Sequence, residues 1–168
     1  MADKRMEQEL LELRKDIFLT GFKGGMAHLA SCFSSLEILY ALYMEGILKL
    51  RRENPHWHDR DRFILSKGHA GLALYAVLWR VGLIEEAMYR SYLQENAQIG
   101  GEPCTRDCVW VEATTGSLGH GLSMGIAQCG SSPQFSSGKM MKKTDASPTG
   151  SEESLSSMTL STCLWNSI

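Results

Sequence analysis

No stretch of this 168-residue chain approaches the roughly 18 uninterrupted apolar residues of a membrane-spanning helix. The N-terminus, MADKRMEQELLELRKD, is charged and amphipathic, without the apolar core of a secretion signal. A formal charge of -2, with no basic stripe, leaves no electrostatic footprint for nucleic acid. The densest charge run, Lys49 to Arg62, mixes both signs and reads as a solvated loop. Cysteine is too scarce and too irregular for a disulfide framework. Its 5 residues, an odd number, suit reduced thiols in the cytoplasm. Cys104 and Cys108 have no second pair at a zinc-site interval, and His56 and His58 do not complete a set, so no metal site is assigned. What remains is an ordinary globular composition, 43% hydrophobic and 21% charged, long enough for one domain.

Along the chain, Met6, Leu10, Leu13 and Ile17 share one stripe and predict a helix over 6–20. Ser34 and Glu37 read as a capping box opening a helix that carries Leu36, Leu39, Tyr40, Tyr43 and Ile47. Phe63 to Leu65 and Val109 to Val111 read as short buried strands. Helices are expected from about Ala70 to Val81, stopped by Gly82, from near Glu85, and from Gly121. Strands alternating with helices imply an α/β layer with few, parallel strands and ligands at their C-terminal ends.

Residues 130–168 hold 11 of the 18 serines and 2 of the 4 prolines, with no sustained period. Composition therefore divides the chain into a domain over 1–129 and a low-complexity tail over 130–168, expected to be disordered or frame-shifted.

Two loops stand out, RDRFILSKGHA at 60–70 and VEATTGSLGHG at 111–121. A glycine-rich turn between a strand and a helix exposes backbone N–H groups to a diphosphate or a heterocycle edge. The spacing Gly116-x-x-Gly119-x-Gly121 is not the dinucleotide fingerprint, and no Walker lysine follows. Spacing alone leaves two readings open: a phosphate or cofactor loop, and glycines that permit tight helix–strand packing. His28, His69 and His120 lie in glycine-bearing breaks, where an imidazole can bind a polyol or move a proton near neutral pH. A capping or surface histidine is the competing reading.

The series GMAH at 25–28, SLEIL at 35–39, NPHW at 54–57 and the two loops closely resembles, in order and spacing, the N-terminal part of transketolases. The similarity covers about 6–128 and is greatest to the bacterial split form, in which this part is a separate subunit. The resemblance implies thiamine diphosphate and Mg²⁺ as cofactors and transfer of a two-carbon ketol unit between sugar phosphates. The cofactor's ylide carries the carbon chemistry. It implies that His28 contacts the sugar, that His69 lies close to the cofactor and the donor carbon, and that Gly116, Ser117 and Leu118 present main chain to the cofactor. A C-terminal transketolase subunit is the implied partner, in a dimer-type assembly.

Three departures qualify it. Gly101-Glu102-Pro103 stands where many transketolases have Gly-His-Pro. The Gly-Asp-Gly motif and later Asn that hold Mg²⁺ and diphosphate have no match in 130–168. The pyrimidine-binding domain, with its activating glutamate, is missing. The expectation is a transketolase fragment inactive as a lone chain, its continuation lost by truncation or frame shift. A non-catalytic partner-binding module, a pseudogene remnant and a deoxyxylulose phosphate synthase-like enzyme are the alternatives.

Overall fold

The computed structural model describes residues 2–25 and 27–130. The tail expected over 130–168 lies, from 131 onward, outside the described residues. Among the described residues five α-helices run in order: α1 (Ala2–Lys23), α2 (Leu29–Tyr43), α3 (Gly71–Arg80), α4 (Glu86–Arg90) and α5 (His120–Gly130). A 3-10 turn, Gly68–Ala70, leads directly into α3.

The core is built around α3, in which every residue from Gly71 to Leu78 is buried. A helix with no polar face needs neighbours on all sides. α1 and α2 supply two of them through Leu10, Leu13 and Ile17, and through Leu36, Leu39 and Tyr40. The predicted stripe of α1 is thus the observed one, except that Met6 is 37% exposed at its start. Glycine ends both α1 and α3. Gly25 takes φ +71 and Gly82 takes φ +72, left-handed values that a Cβ disfavours.

Two local expectations are corrected. α2 begins at Leu29, with His28 and not Ser34 at its N-cap, and the His28 carbonyl accepts from Cys32 N at 3.0 Å. Ser34 lies inside the helix and donates to the Ser31 carbonyl at 3.1 Å, so no capping box forms. The helix expected near Glu85 forms as α4 and is short, the chain turning at Leu93 and Asn96, which adopt positive φ (51° and 61°).

The second correction concerns the strands. Phe63, Ile64 and Leu65 are buried, as are Trp110 and Val111, but no strand is formed among the described residues. A strand needs a neighbour to exchange N–H···O bonds with. Here the Leu65 carbonyl instead accepts from the buried Thr115 hydroxyl at 2.8 Å. The architecture observed over 2–130 is accordingly helix-rich, with extended apolar segments where an α/β layer places its strands.

Candidate functional site

A buried ion pair joins the two conspicuous loops before they reach the surface. Glu112 Oε1 lies 2.5 Å from Arg60 Nη1, with side chains only 6% and 5% exposed. Glu112 Oε2 lies 2.9 Å from Arg62 Nη1, whose side chain is 34% exposed. Arg60 also donates from Nε to the Pro55 carbonyl at 2.6 Å and lies over the Trp110 ring. The charge run Lys49 to Arg62 is therefore not uniformly solvated: Arg60 is part of the interior. Sequence reasoning missed this role. The signal was a carboxylate directly after the apolar run Val109 to Val111, matched by arginines directly before Phe63.

Beyond that clamp three chain segments converge. Gly68 approaches the second loop so closely that a Cβ on it would stand 2.7 Å from Gly116 N. A Cβ on Gly121 would stand 2.7 Å from Ser66 Cα, and Gly121 N donates to Ser66 Oγ at 3.2 Å. The third segment is Gly101-Glu102-Pro103. Thr115 N donates to the Pro103 carbonyl at 3.2 Å, Tyr75 OH to the Glu102 carbonyl at 3.3 Å and Tyr92 OH to the Gly101 carbonyl at 3.4 Å. Both tyrosines are buried, and burial pushes their phenols well above the ordinary value, Tyr92 to about 12, so they stay hydrogen-bond donors.

The histidines meet at this junction. The His28 and His69 rings stand edge to face, centroids 4.5 Å apart. His69 Nε2 is 3.7 Å from Glu102 Oε1. The Glu102 carboxylate also lies against Gly116: a Cβ there would collide with Oε2 and stand 2.9 Å from Cδ. The loop around His69 is anchored to α2 by Lys67 Nζ, 3.0 Å from Ser34 Oγ, and by a Cys32 Sγ contact to the His69 carbonyl at 3.8 Å. His28, His69 and Gly116 are thus brought together. Ser117 and Leu118 continue the loop into solvent, Leu118 being 69% exposed. His120 opens α5 on the surface, while His56 and His58 are exposed in the polar loop, His58 paired with Asp59.

Two imidazoles and an exposed apolar Leu118 would suit the ring-bearing half of a thiamine diphosphate, whose approach to the Gly116 backbone requires the half-exposed Glu102 carboxylate to turn aside. Among the described residues no group of three His, Cys, Asp or Glu side chains is placed to hold a metal ion.

The family described as "Transketolase, thiamine diphosphate binding domain" matches residues 20–145. A protein named ferredoxin fas2 from Rhodococcoides fascians is 35% identical over 127 residues, covering 74% of this chain and 41% of that protein. One of the subunits of apulose-4-phosphate transketolase from Phocaeicola vulgatus is 35% identical over 126 residues, covering 72% of this chain and 44% of its own. Among solved structures, transketolase from Leishmania mexicana superposes with a TM-score of 0.63 at 26% identity, covering 74% of this chain and 19% of that one. The chain therefore spans less than half the length of each of these relatives. It belongs to the transketolase family, through the thiamine diphosphate-binding domain.

Proposed function

We propose that this chain is the N-terminal component of a thiamine diphosphate-dependent transketolase that moves a two-carbon ketol unit between sugar phosphates. The observation that carries the proposal is the meeting of His28 and His69, 4.5 Å apart, with His69 3.7 Å from the Glu102 carboxylate that lies against Gly116. Gly116, Ser117 and Leu118 would present main chain and an apolar side chain to the cofactor. Bound there, the cofactor would supply the carbon nucleophile. His28 would hold a sugar hydroxyl, and His69, held by Cys32 and Lys67 contacts to its loop, would move a proton beside the reacting carbon. The Arg60–Glu112 pair fixes the spacing of the two loops, as such positioning requires.

Mg²⁺ ligands, the pyrimidine-binding domain and its activating glutamate would come from outside the described residues. A C-terminal transketolase subunit in the cytoplasm is the partner proposed for the latter two. The relative from Phocaeicola vulgatus, itself one component of a multi-chain enzyme by name, supports that assignment. As a lone chain the protein is expected to be inactive.

A second reading, a non-catalytic module that binds a partner subunit, has its own support. α5 exposes Leu122 at 55% and Ile126 at 65%, one turn apart, with Leu118 just ahead of them. One experiment separates the two: ketol transfer by the chain alone and mixed with a C-terminal transketolase subunit, thiamine diphosphate and Mg²⁺. Turnover only in the mixture supports the enzyme component. Stable complex formation without turnover supports the module, and turnover by the lone chain overturns both.

A further inference from the structure

The group lying across the candidate site is the Glu102 carboxylate, for which the shared chemistry of two histidines and a glycine loop has no evident need. Its backbone is fixed. The Glu102 carbonyl is held by Tyr75 at 3.3 Å, the preceding Gly101 carbonyl by Tyr92 at 3.4 Å, and Pro103 packs so tightly on α3 that a Cβ at Gly71 would stand 2.9 Å from its Cδ. The side chain is thus aimed by its own strap, with Oε1 3.7 Å from His69 Nε2 and Oε2 against Gly116. The cation of the facing loop, Lys67, is turned onto Ser34 at 3.0 Å. A fixed anion beside two imidazoles accepts hydrogen bonds from hydroxyl groups and repels a second anion brought to the same place.

We infer that Glu102 determines specificity at this site, making the surface formed by His28, His69 and Gly116 accept the neutral hydroxyl-bearing end of a polyol and reject an anionic end. This deepens the proposed function by naming which end of a sugar can face the histidines. The half-exposed position, 46% for the Glu102 side chain, reduces the repulsion by solvent screening, so the discrimination is about tenfold and not complete.

The test uses the full chain without cofactor and two probes of equal length, xylitol and xylarate, the second carrying a carboxylate at both ends and so offering no neutral end. Binding is read from the imidazole resonances of His28 and His69. The wild-type chain is expected to bind xylitol about tenfold more tightly than xylarate, since one carboxylate opposes another. Glu102→Gln, a neutral isostere, is expected to bring the two affinities within about twofold, while Glu102→Asp keeps the preference. Equal binding by the wild type, a preference that survives in Glu102→Gln, or no response of either histidine to either probe would overturn the inference. A separate titration with thiamine diphosphate and Mg²⁺ keeps the two proposals apart. Xylitol selectivity without cofactor binding leaves Glu102's role standing and removes the cofactor site, and cofactor binding without selectivity does the reverse.

Discussion

Glu112→Gln should destabilise this domain more than any conservative change of a charged residue on its surface. The carboxylate bridges Arg60 at 2.5 Å and Arg62 at 2.9 Å, and its side chain is only 6% exposed. Glutamine keeps the shape but leaves the Arg60 guanidinium, 5% exposed, without a counter-charge. Removing one partner of such a buried pair costs about 3–5 kcal/mol, much of it the unpaired charge left behind. Domains of this size are stable by about 5–15 kcal/mol, so the change removes a large share of the total. With a urea slope of about 1–3 kcal/mol per molar, the unfolding midpoint should fall by about 2 M. Arg62→Gln is the internal control. Its side chain is 34% exposed and can turn to water, so its loss should stay near 1 kcal/mol or below. The double change Arg60→Met with Glu112→Leu should recover much of the loss, because apolar residues of similar volume can replace a buried pair. A Glu112→Gln midpoint within a few tenths molar of wild type would refute the clamp.

Other outcomes follow from neighbouring contacts. Gly68→Ala should lose about 1–3 kcal/mol in urea unfolding, because its Cβ would meet Gly116 backbone 2.7 Å away and neither segment can yield cheaply. An unaltered midpoint would mean the loops are not packed as described. All five tyrosines are held above their ordinary value, chiefly by burial, with Tyr40, Tyr89 and Tyr92 pushed to about 12. The native chain therefore keeps protons that the unfolded chain releases near pH 10. The stability this provides is full below about pH 10 and is lost as pH rises toward 12. Tyrosinate absorbance should accordingly appear only together with loss of helical signal, and a simple native titration near pH 10 would contradict it. Of the described free thiols, Cys104 is partly exposed and its thiol is lowered, mainly by a backbone hydrogen bond from Arg106, whereas burial pushes Cys32 and Cys108 up. Peptide mapping after brief iodoacetamide treatment should find Cys104 alkylated well before Cys32 and Cys108. Equal labelling would argue against this loop geometry.

The core of the domain was legible because it obeys simple periodicity. Leu10, Leu13 and Ile17 announced the buried face of α1, and the glycine at 82 announced the end of α3. The loops carrying His28, His69 and Gly116 stood out for a different reason: glycine and histidine cluster there in breaks between apolar runs, and Gly68 and Gly121 permit the close backbone packing observed. What sequence could not give was partnership across distance. Nothing local shows that Glu112 reaches Arg60, 52 positions earlier, or that Glu102 bends over Gly116. The apolar runs at 63–65 and 109–111 misled in one respect. Burial and extension can be read from a run of bulky side chains, but a strand also needs a hydrogen-bonding neighbour, and none is formed among the described residues. Ser34-x-x-Glu37 misled in another, since a capping box inside a longer helix is only two polar residues on its surface.

The central claim is that His28, His69 and the loop Gly116 to Leu118 form a cofactor surface. Its most direct test is a titration of thiamine diphosphate with Mg²⁺ into the purified, spectroscopically folded chain. The readout is the two imidazole resonances and the amides of residues 116–118, with Gly116→Val beside the wild type. The account predicts saturable shifts confined to these residues in the wild type and their loss in Gly116→Val, whose side chain would displace the Glu102 carboxylate and cover the backbone. A folded wild-type chain whose resonances do not move, or shifts that persist in Gly116→Val, would contradict it.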